Sequence, residues 1–363
     1  MRFAIRTSVT LGSATKSSAR MAPIRPAPTT STRMFSPLPG HECVACVGPF
    51  CHNHWNVPTK GCQVSDFLSR VASAPISWGI CEVPGWGAML PTPRVLGEMA
   101  GLGFTATELG APGFLPTSPE GVKDELSAFG MTLLGGFTPV VLHDKAQREA
   151  TLQSARTTAK LFQDAGATKF ISSVVQDMDW SIPRALDATE QGHMAEMFGI
   201  LDEICAEHGL EQVLHPHVQT LVETRDDIHR VLDSCDVHFC LDTGHMAFGG
   251  QDPVEFAKDA MDRVGHVHLK DIRLDMVEPV LRREVSLMAA TQAGIFTPLG
   301  HGDVDIMGVV QTLEGAGYDG WYVIEQDTAL TDGLPGEGEG PIHQVTTSMD
   351  YLVEKVAPTL ESP

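Results

Sequence analysis

From about residue 70 onward, short apolar runs alternate with longer stretches in which apolar positions recur every three or four residues. A short apolar run bounded by turn residues reads as a strand buried on both faces, and the longer period reads as an amphipathic helix. The alternation predicts repeated strand–helix units around a parallel sheet. Eight strand candidates can be counted: Ala74–Ile80, Ala106–Leu109, Thr132–Phe137, Lys169–Ser173, Gln212–His217, His238–Asp242, Val264–Lys270 and Trp321–Glu325. Eight such units close a (β/α)8 barrel, an α/β fold. Between them, Val95, Leu96, Met99 and Ala100 share one helical face, and Thr224 followed by Asp226 and Asp227 has the form of a helix N-cap.

Two segments depart from the repeat. Residues 271–305 are longer than an ordinary connection at the C-terminal end of a strand, where barrels build their sites, so they are expected to form a lid or wall. After Glu325 a glycine-rich stretch, Gly333 to Gly340, leads into a final helix near His343–Val356. That helix is expected to cover the barrel or a neighbouring subunit, which leaves room for a homo-oligomer.

Charge divides the chain. The formal net charge is -21, yet residues 1–41 contain only basic charged residues. Residues 1–70 are therefore read as a disordered extension and 71–357 as the barrel. The extension resembles either an organelle transit peptide or a wrongly chosen upstream start, and the prolines from Pro23 to Pro28, which interrupt any amphipathic helix, favour the second. Cys43, Cys46, Cys51 and Cys62 have the composition of a zinc knuckle, although a single Cys-x-x-Cys is a weak signal. Cys81, Cys205, Cys235 and Cys240 read as reduced thiols of a cytoplasmic enzyme. The acidic balance disfavours nucleic-acid backbones and anionic lipid, and no run of about 18 apolar residues exists. The expected partner is a small molecule, with no nucleic acid and no membrane.

Polar residues gather at the predicted strand ends. The fifth strand ends in His215-Pro216-His217, and the sixth in Asp242-Thr243-Gly244-His245. The seventh carries His266, His268 and Lys270 on one face, and the eighth ends at Glu325. Asp, His and Glu converging from separate strands are what a divalent ion requires, with positions left open for substrate oxygens. Asp242 alone would equally suit a helix N-cap. An unpaired Glu325 at the end of an apolar strand would cost several kcal/mol, so it calls for a cation.

These motifs carry a resemblance. With Ala74-Pro75-Ile76-Ser77-Trp78-Gly79, Thr107-Glu108-Leu109-Gly110, Gly113-Phe114-Leu115-Pro116 and Pro298-Leu299-Gly300-His301-Gly302, the chain resembles the xylose-isomerase-like barrel superfamily, and within it the inosose (2-keto-myo-inositol) dehydratase branch. The resemblance implies His215, Asp242, His268 and Glu325 as metal ligands. Many relatives have Glu where His215 stands. Epimerases of the superfamily use two metal-bound glutamates as opposed acid and base, so His215 removes that symmetric shuttle and points toward dehydration. An imidazole ligand also moves the preference from magnesium toward manganese or cobalt.

The expected reaction is loss of water from a small polyhydroxylated ketone such as an inosose, in inositol catabolism. The ion would act as a Lewis acid while a base removes the proton α to the carbonyl and an acid assists departure of the β-hydroxyl. Candidates for these proton transfers are Glu108, His217, His245 and Lys270, with Lys270 an acid or a carbonyl-orienting cation. Glu108 could instead serve as a salt-bridge partner of Lys270. Trp78, Trp86 and Phe114 are candidates for a wall against the substrate ring, with His266 and His301 as further contacts. The alternative on the same barrel is a metal-dependent ketose isomerase or epimerase. An endonuclease would need a basic groove, and a non-catalytic sugar-binding protein would need no ion.

Overall fold

The computed structural model describes residues 66–81 and 83–360. The cysteines and histidines of the candidate zinc knuckle, and the extension up to residue 65, lie outside the described residues. The strands, in chain order, are β1 Val71–Ser73, β2 Ala106–Thr107, β3 Thr132–Leu133, β4 Phe137–Val140, β5 Lys169–Val174, β6 Glu211–Leu214, β7 His238–Asp242, β8 Val264–Leu269, β9 Asp271–Ile272, β10 Phe296–Thr297 and β11 Tyr322–Ile324. All but β9 and β10 form one parallel sheet in the order β3-β2-β1-β11-β8-β7-β6-β5-β4.

The two ends of that sheet are consecutive in the chain, and this closes the barrel. Leu134 donates to Thr107 on one side (2.9 Å) and accepts from Lys169 on the other (3.0 Å), while Gly135 accepts from Leu109 (2.9 Å) and Gly136 from Ile171 (3.3 Å). Residues 132–140 are thus a single stave bent at Gly135-Gly136, paired with β2 along its first half and β5 along its second. A Cβ on Gly135 would lie 2.5 Å from the Lys169 carbonyl oxygen, so the bend needs the missing side chain. Counted this way there are eight staves, the number read from the hydrophobic pattern.

The first stave is displaced from its expected place. Val71–Ser73 is the strand, and Pro75–Trp78 turns away as a 3-10 helix. Helix Asp66–Ser69 precedes it and buries Phe67 edge-on against Tyr322, so packed structure begins ahead of Val71. Outside the staves, helix Thr92–Gly101 buries Val95, Leu96 and Met99 as the spacing predicts. Thr224 caps helix Arg225–Ser234 with Asp227 closing a capping box. Helix Pro341–Tyr351 packs on its own barrel through Val345 and Met349, and Ser348 Oγ accepts from the Leu299 amide.

The long connection 271–305 folds into β9, helices Val277–Leu281 and Leu287–Gln292, and β10, around a small apolar core that includes Ile272, Val280, Ile295 and Phe296. Its anchor is Asp271, whose buried carboxylate accepts from the amides of Ile272, Gly300, Gly302 and Val304 at 2.9–3.1 Å. A Cβ on Gly302 would sit 2.3 Å from that carboxylate. The Pro298–Gly302 motif therefore wraps a buried charge.

Candidate metal centre

Strand periodicity decides which side chains meet inside the barrel. Asp242 ends β7 opposite His268 of β8, and Cys240 lies opposite His266 two residues deeper, a drop of about 7 Å along the strand. His215 follows β6, and Glu325 follows β11, where Ile324 pairs with Leu269 and Glu325 continues the register opposite Lys270. One nitrogen or oxygen from each of His215, Asp242, His268 and Glu325 lies within 4.8 Å of the others, and all four residues are buried.

The atoms are oriented from outside the cluster. Asp242 Oδ1 accepts from the His245 amide at 2.7 Å as the N-cap of helix Thr243–Phe248, leaving Oδ2 facing His215 Nε2 at 3.2 Å and His268 Nδ1 at 3.6 Å. Capping and site geometry are both served by one carboxylate. His268 Nε2 donates to Glu108 Oε1 at 2.9 Å, which directs Nδ1 toward Glu325 Oε2, 2.8 Å away. Despite that approach, neither His268 Nδ1 nor Glu325 Oε2 has a well-directed hydrogen bond. Two close, buried polar atoms without hydrogen-bond partners, beside a second carboxylate at Asp242, suit a cation that all can face.

Electrostatics point the same way. Burial opposes a charge on His268, yet the Cys240 thiol and the carboxylates of Glu325 and Glu108 hold the imidazole well above its ordinary value. Burial would raise the Glu325 carboxyl, but His268 and Lys270 bring it down to about 2. The cluster favours positive charge at its centre. Its mixed imidazole and carboxylate donors fit a divalent first-row ion.

Beside the cluster lies a second constellation. Lys270 Nζ donates to Asp327 (2.9 Å) and to His245 Nε2 (3.0 Å), stands 3.0 Å from Glu325, and lies 5.2 Å from the Phe296 ring centroid. A Cβ on Gly244 would come within 2.6 Å of the Lys270 stem, so the Asp-Thr-Gly-His turn is built to let that side chain pass. Burial works against the Lys270 charge, but Asp242, Asp327 and Glu325 keep it well above its ordinary value. His245 is pushed well below its own, by burial and by His217 and Lys270. His217 packs against His245 with ring centroids 4.0 Å apart and donates through Nδ1 to the Val218 carbonyl at 2.7 Å. Burial, His215 and Lys270 push it down to about 3, so it is a neutral imidazole with Nε2 free to accept.

Seven of the residues expected from sequence therefore come together: His215, Asp242, His268, Glu325, Lys270, His245 and His217. Six do not stand as expected. Glu108 lies beneath the cluster, bonded to His266 and His268 at 2.9 Å each, and is neither a base at the mouth nor a partner of Lys270. His266 lies two residues deeper on β8 than His268 and is fully buried. Trp78 is fully buried and donates to Glu98, because the chain turns out of the barrel after Ser73. Phe114 is buried in the core, as is Trp86, which donates to the Thr328 carbonyl. His301 is exposed on the turn around Asp271.

Sequence reading missed Asp327, Phe137, Trp180 and Phe296. Period two from Glu325 would have reached Asp327. The aromatics carry no local signal, since only the barrel brings them to its mouth.

The chain belongs to the xylose isomerase-like TIM barrel family, whose model matches residues 96–352. More particularly, it is similar to an inosose dehydratase of Geobacillus kaustophilus, 34% identical over 72% of this chain and 89% of that protein. It is also 31% identical to a rhizopine catabolism protein of Rhizobium meliloti, over 71% of this chain and 81% of that one. Among solved structures, the probable 3-DHS dehydratase AsbF of Bacillus anthracis matches with a TM-score of 0.60 at 17% identity, covering 79% of this chain and 99% of that one. The IOLI protein with a bound zinc atom matches with a TM-score of 0.59 at 14% identity, over 81% and 100%. The homologues support an enzyme, and specifically a dehydratase.

Proposed function

We propose that the protein is a metal-dependent carbon–oxygen lyase that removes water from an inosose such as 2-keto-myo-inositol, in inositol catabolism. The observation that carries this reading is a buried donor set with a single glutamate, His215–Asp242–His268–Glu325, facing a neutral His217. The inosose dehydratase relatives support it, over most of the chain. Manganese or cobalt is the proposed ion, held by those four residues, and when bound it would supply Lewis acidity at the substrate ketone.

The chain's own residues then divide the remaining work. His217, neutral and anchored through Nδ1, accepts the proton α to the carbonyl at Nε2. Lys270, locked by Asp327 and His245, is a fixed positive charge that stabilises negative charge developing on the substrate oxygens, rather than a proton donor at neutral pH. The β-hydroxyl leaves as water with a proton returned from His217 or solvent. A symmetric exchange between two glutamates, as an epimerase would require, has no second glutamate in this cluster. The expected partner is thus a small polyhydroxylated ketone, with no nucleic acid and no membrane. No helix among the described residues is long and apolar enough to cross a membrane. We place the enzyme in the cytoplasm, which agrees with buried thiols at Cys205 and Cys240 that burial pushes up to about 12 and about 11.

The test is to strip the protein with a chelator, restore manganese, cobalt or zinc, and follow 2-keto-myo-inositol by mass spectrometry. Metal-dependent loss of one water is expected. Isomerisation of a ketose with no dehydration of any inosose would overturn the assignment.

A further inference from the structure

The mouth of the barrel holds an aromatic surface that no proton-transfer role uses. Phe137, the first residue of β4, is 37% exposed, and its ring stands 5.6 Å from those of both His215 and His217. Trp180, in the connection between β5 and helix Ala188–Glu207, is 42% exposed and stacks on Phe137 at 6.1 Å with the rings only 15° apart. Its edge also meets His217 at 6.1 Å. The two stacked rings form a two-layer aromatic surface beside His215, a candidate metal donor, and His217, the candidate base.

The connection is built to present that face. Trp180 has φ 56, a left-handed backbone that disfavours a bulky side chain. Local bonds hold it there: the Trp180 amide donates to the Asp177 carbonyl, and Asp177 Oδ1 accepts from the amides of Asp179 and Ser181 at 3.0 and 3.1 Å. Behind the turn, Gln176 Oε1 accepts from the Arg184 amide at 3.2 Å, the Arg184 guanidinium pairs with both oxygens of Glu190, and Gln176 Nε2 meets buried His143 at 3.2 Å. A strained, half-exposed indole pinned in this way needs a reason.

We infer that Trp180 and Phe137 select a closed ring over an open-chain polyol by stacking on the ring's C–H face. This rests on the reading of the substrate as a cyclic polyol ketone. A carbocycle whose hydroxyls lie near its equator presents a flat apolar face of axial C–H bonds, which matches an aromatic plane. An open-chain ketose of the same composition has no such face and would leave hydroxyls against the indole without partners. The wall therefore discriminates by shape, and the donor cluster fixes which carbon reacts.

The test uses unreactive probes, so that it does not depend on turnover. Binding of myo-inositol and of the open-chain hexitol sorbitol to the full-length protein would be followed by tryptophan emission and by calorimetry, in the unaltered chain, W180F, W180A and M178A. The Trp180 contribution is isolated as the difference from W180F. The expected result is quenching of that contribution by myo-inositol, and a ring preference that falls about tenfold in W180A, as one lost stacking contact would give. W180F should retain most of the preference and M178A, an exposed neighbour on the same turn, all of it. An unchanged preference in W180A would overturn the inference, as would an equal loss in M178A, which would indicate general disturbance of the turn. A changed sedimentation coefficient in W180A with intact preference would assign the wall to subunit contact instead. If the ring preference holds but no inosose loses water, the wall stands and the dehydratase reading fails.

Discussion

The two halves of this barrel have the same topology and different work. The first half, β1 to β4, has strands of two to four residues. It sends one carboxylate inward, Glu108, and that group is consumed by His266 and His268. The later strands β5, β7 and β8 run to five or six residues, and the ends of β6, β7, β8 and β11 supply all four donors as well as Lys270 and Asp327. One half frames and orients while the other holds the candidate donor cluster. The difference shows why a polar residue at a strand end cannot be given a role from its position alone. Glu108 and Glu325 both end apolar staves, but Glu108 Oε1 has two imidazole donors and Glu325 Oε2 has none.

The strongest way to break the comparison is to remove a donor from the second half. E325Q should lose tight metal binding and lower kcat/KM by roughly 10³-fold, since Lewis acidity is worth several kcal/mol. Metal content and turnover measured on the same sample would check this, and a fully active, metal-free E325Q would refute it. In the first half, E108Q should weaken metal affinity by about 10–100-fold, because it loosens the imidazole rather than deleting a donor. Calorimetric titration of the chelator-stripped protein reads that number, and an effect as large as that of E325Q would make Glu108 a ligand.

Stability should separate from chemistry at the closing stave. G135A forces a Cβ against the Lys169 carbonyl and should cost about 1–3 kcal/mol in denaturant unfolding, with metal affinity little changed. The smallest effect is expected at Asp202, on helix Ala188–Glu207, away from the donor cluster. Burial raises its carboxyl to about 6, against the opposing pull of His238 and Arg263. A carboxyl raised in the folded state stabilises below its unfolded value near 4 and loses that contribution as pH climbs through about 6. D202N should therefore gain about 1 kcal/mol at pH 8, after solvent screening, and nothing at pH 4. A gain equal at both values would show that the carboxyl is not the cause.

Much of the fold was legible because barrel staves are buried on both faces and read as plain apolar runs. β7 was located to the residue, and β5 and β8 to within one. Stave one was misplaced, since Ala74–Ile80 is as apolar as a strand, yet Pro75 and the left-handed Gly79 turn it into a 3-10 segment. Trp78 went with it into the core. Period two made the polar strand ends legible, and the family resemblance is what implied the set His215, Asp242, His268 and Glu325, four residues that the fold brings together.

By itself the sequence determined the number of staves and the residue types that gather at the strand ends. Tertiary structure alone decided which of those residues keep free atoms. Glu108 became a support because the β2 stave brings it under His268, and Lys270 became a locked cation because His245 arrives from the helix after β7 and Asp327 from the connection after β11. Phe137 and Trp180 meet because β4 pairs with β5, the strand that leads into the Trp180 turn. Periodicity fixes the direction of a side chain, but what that side chain meets depends on strands far away in the chain, and a pattern along one strand does not contain them.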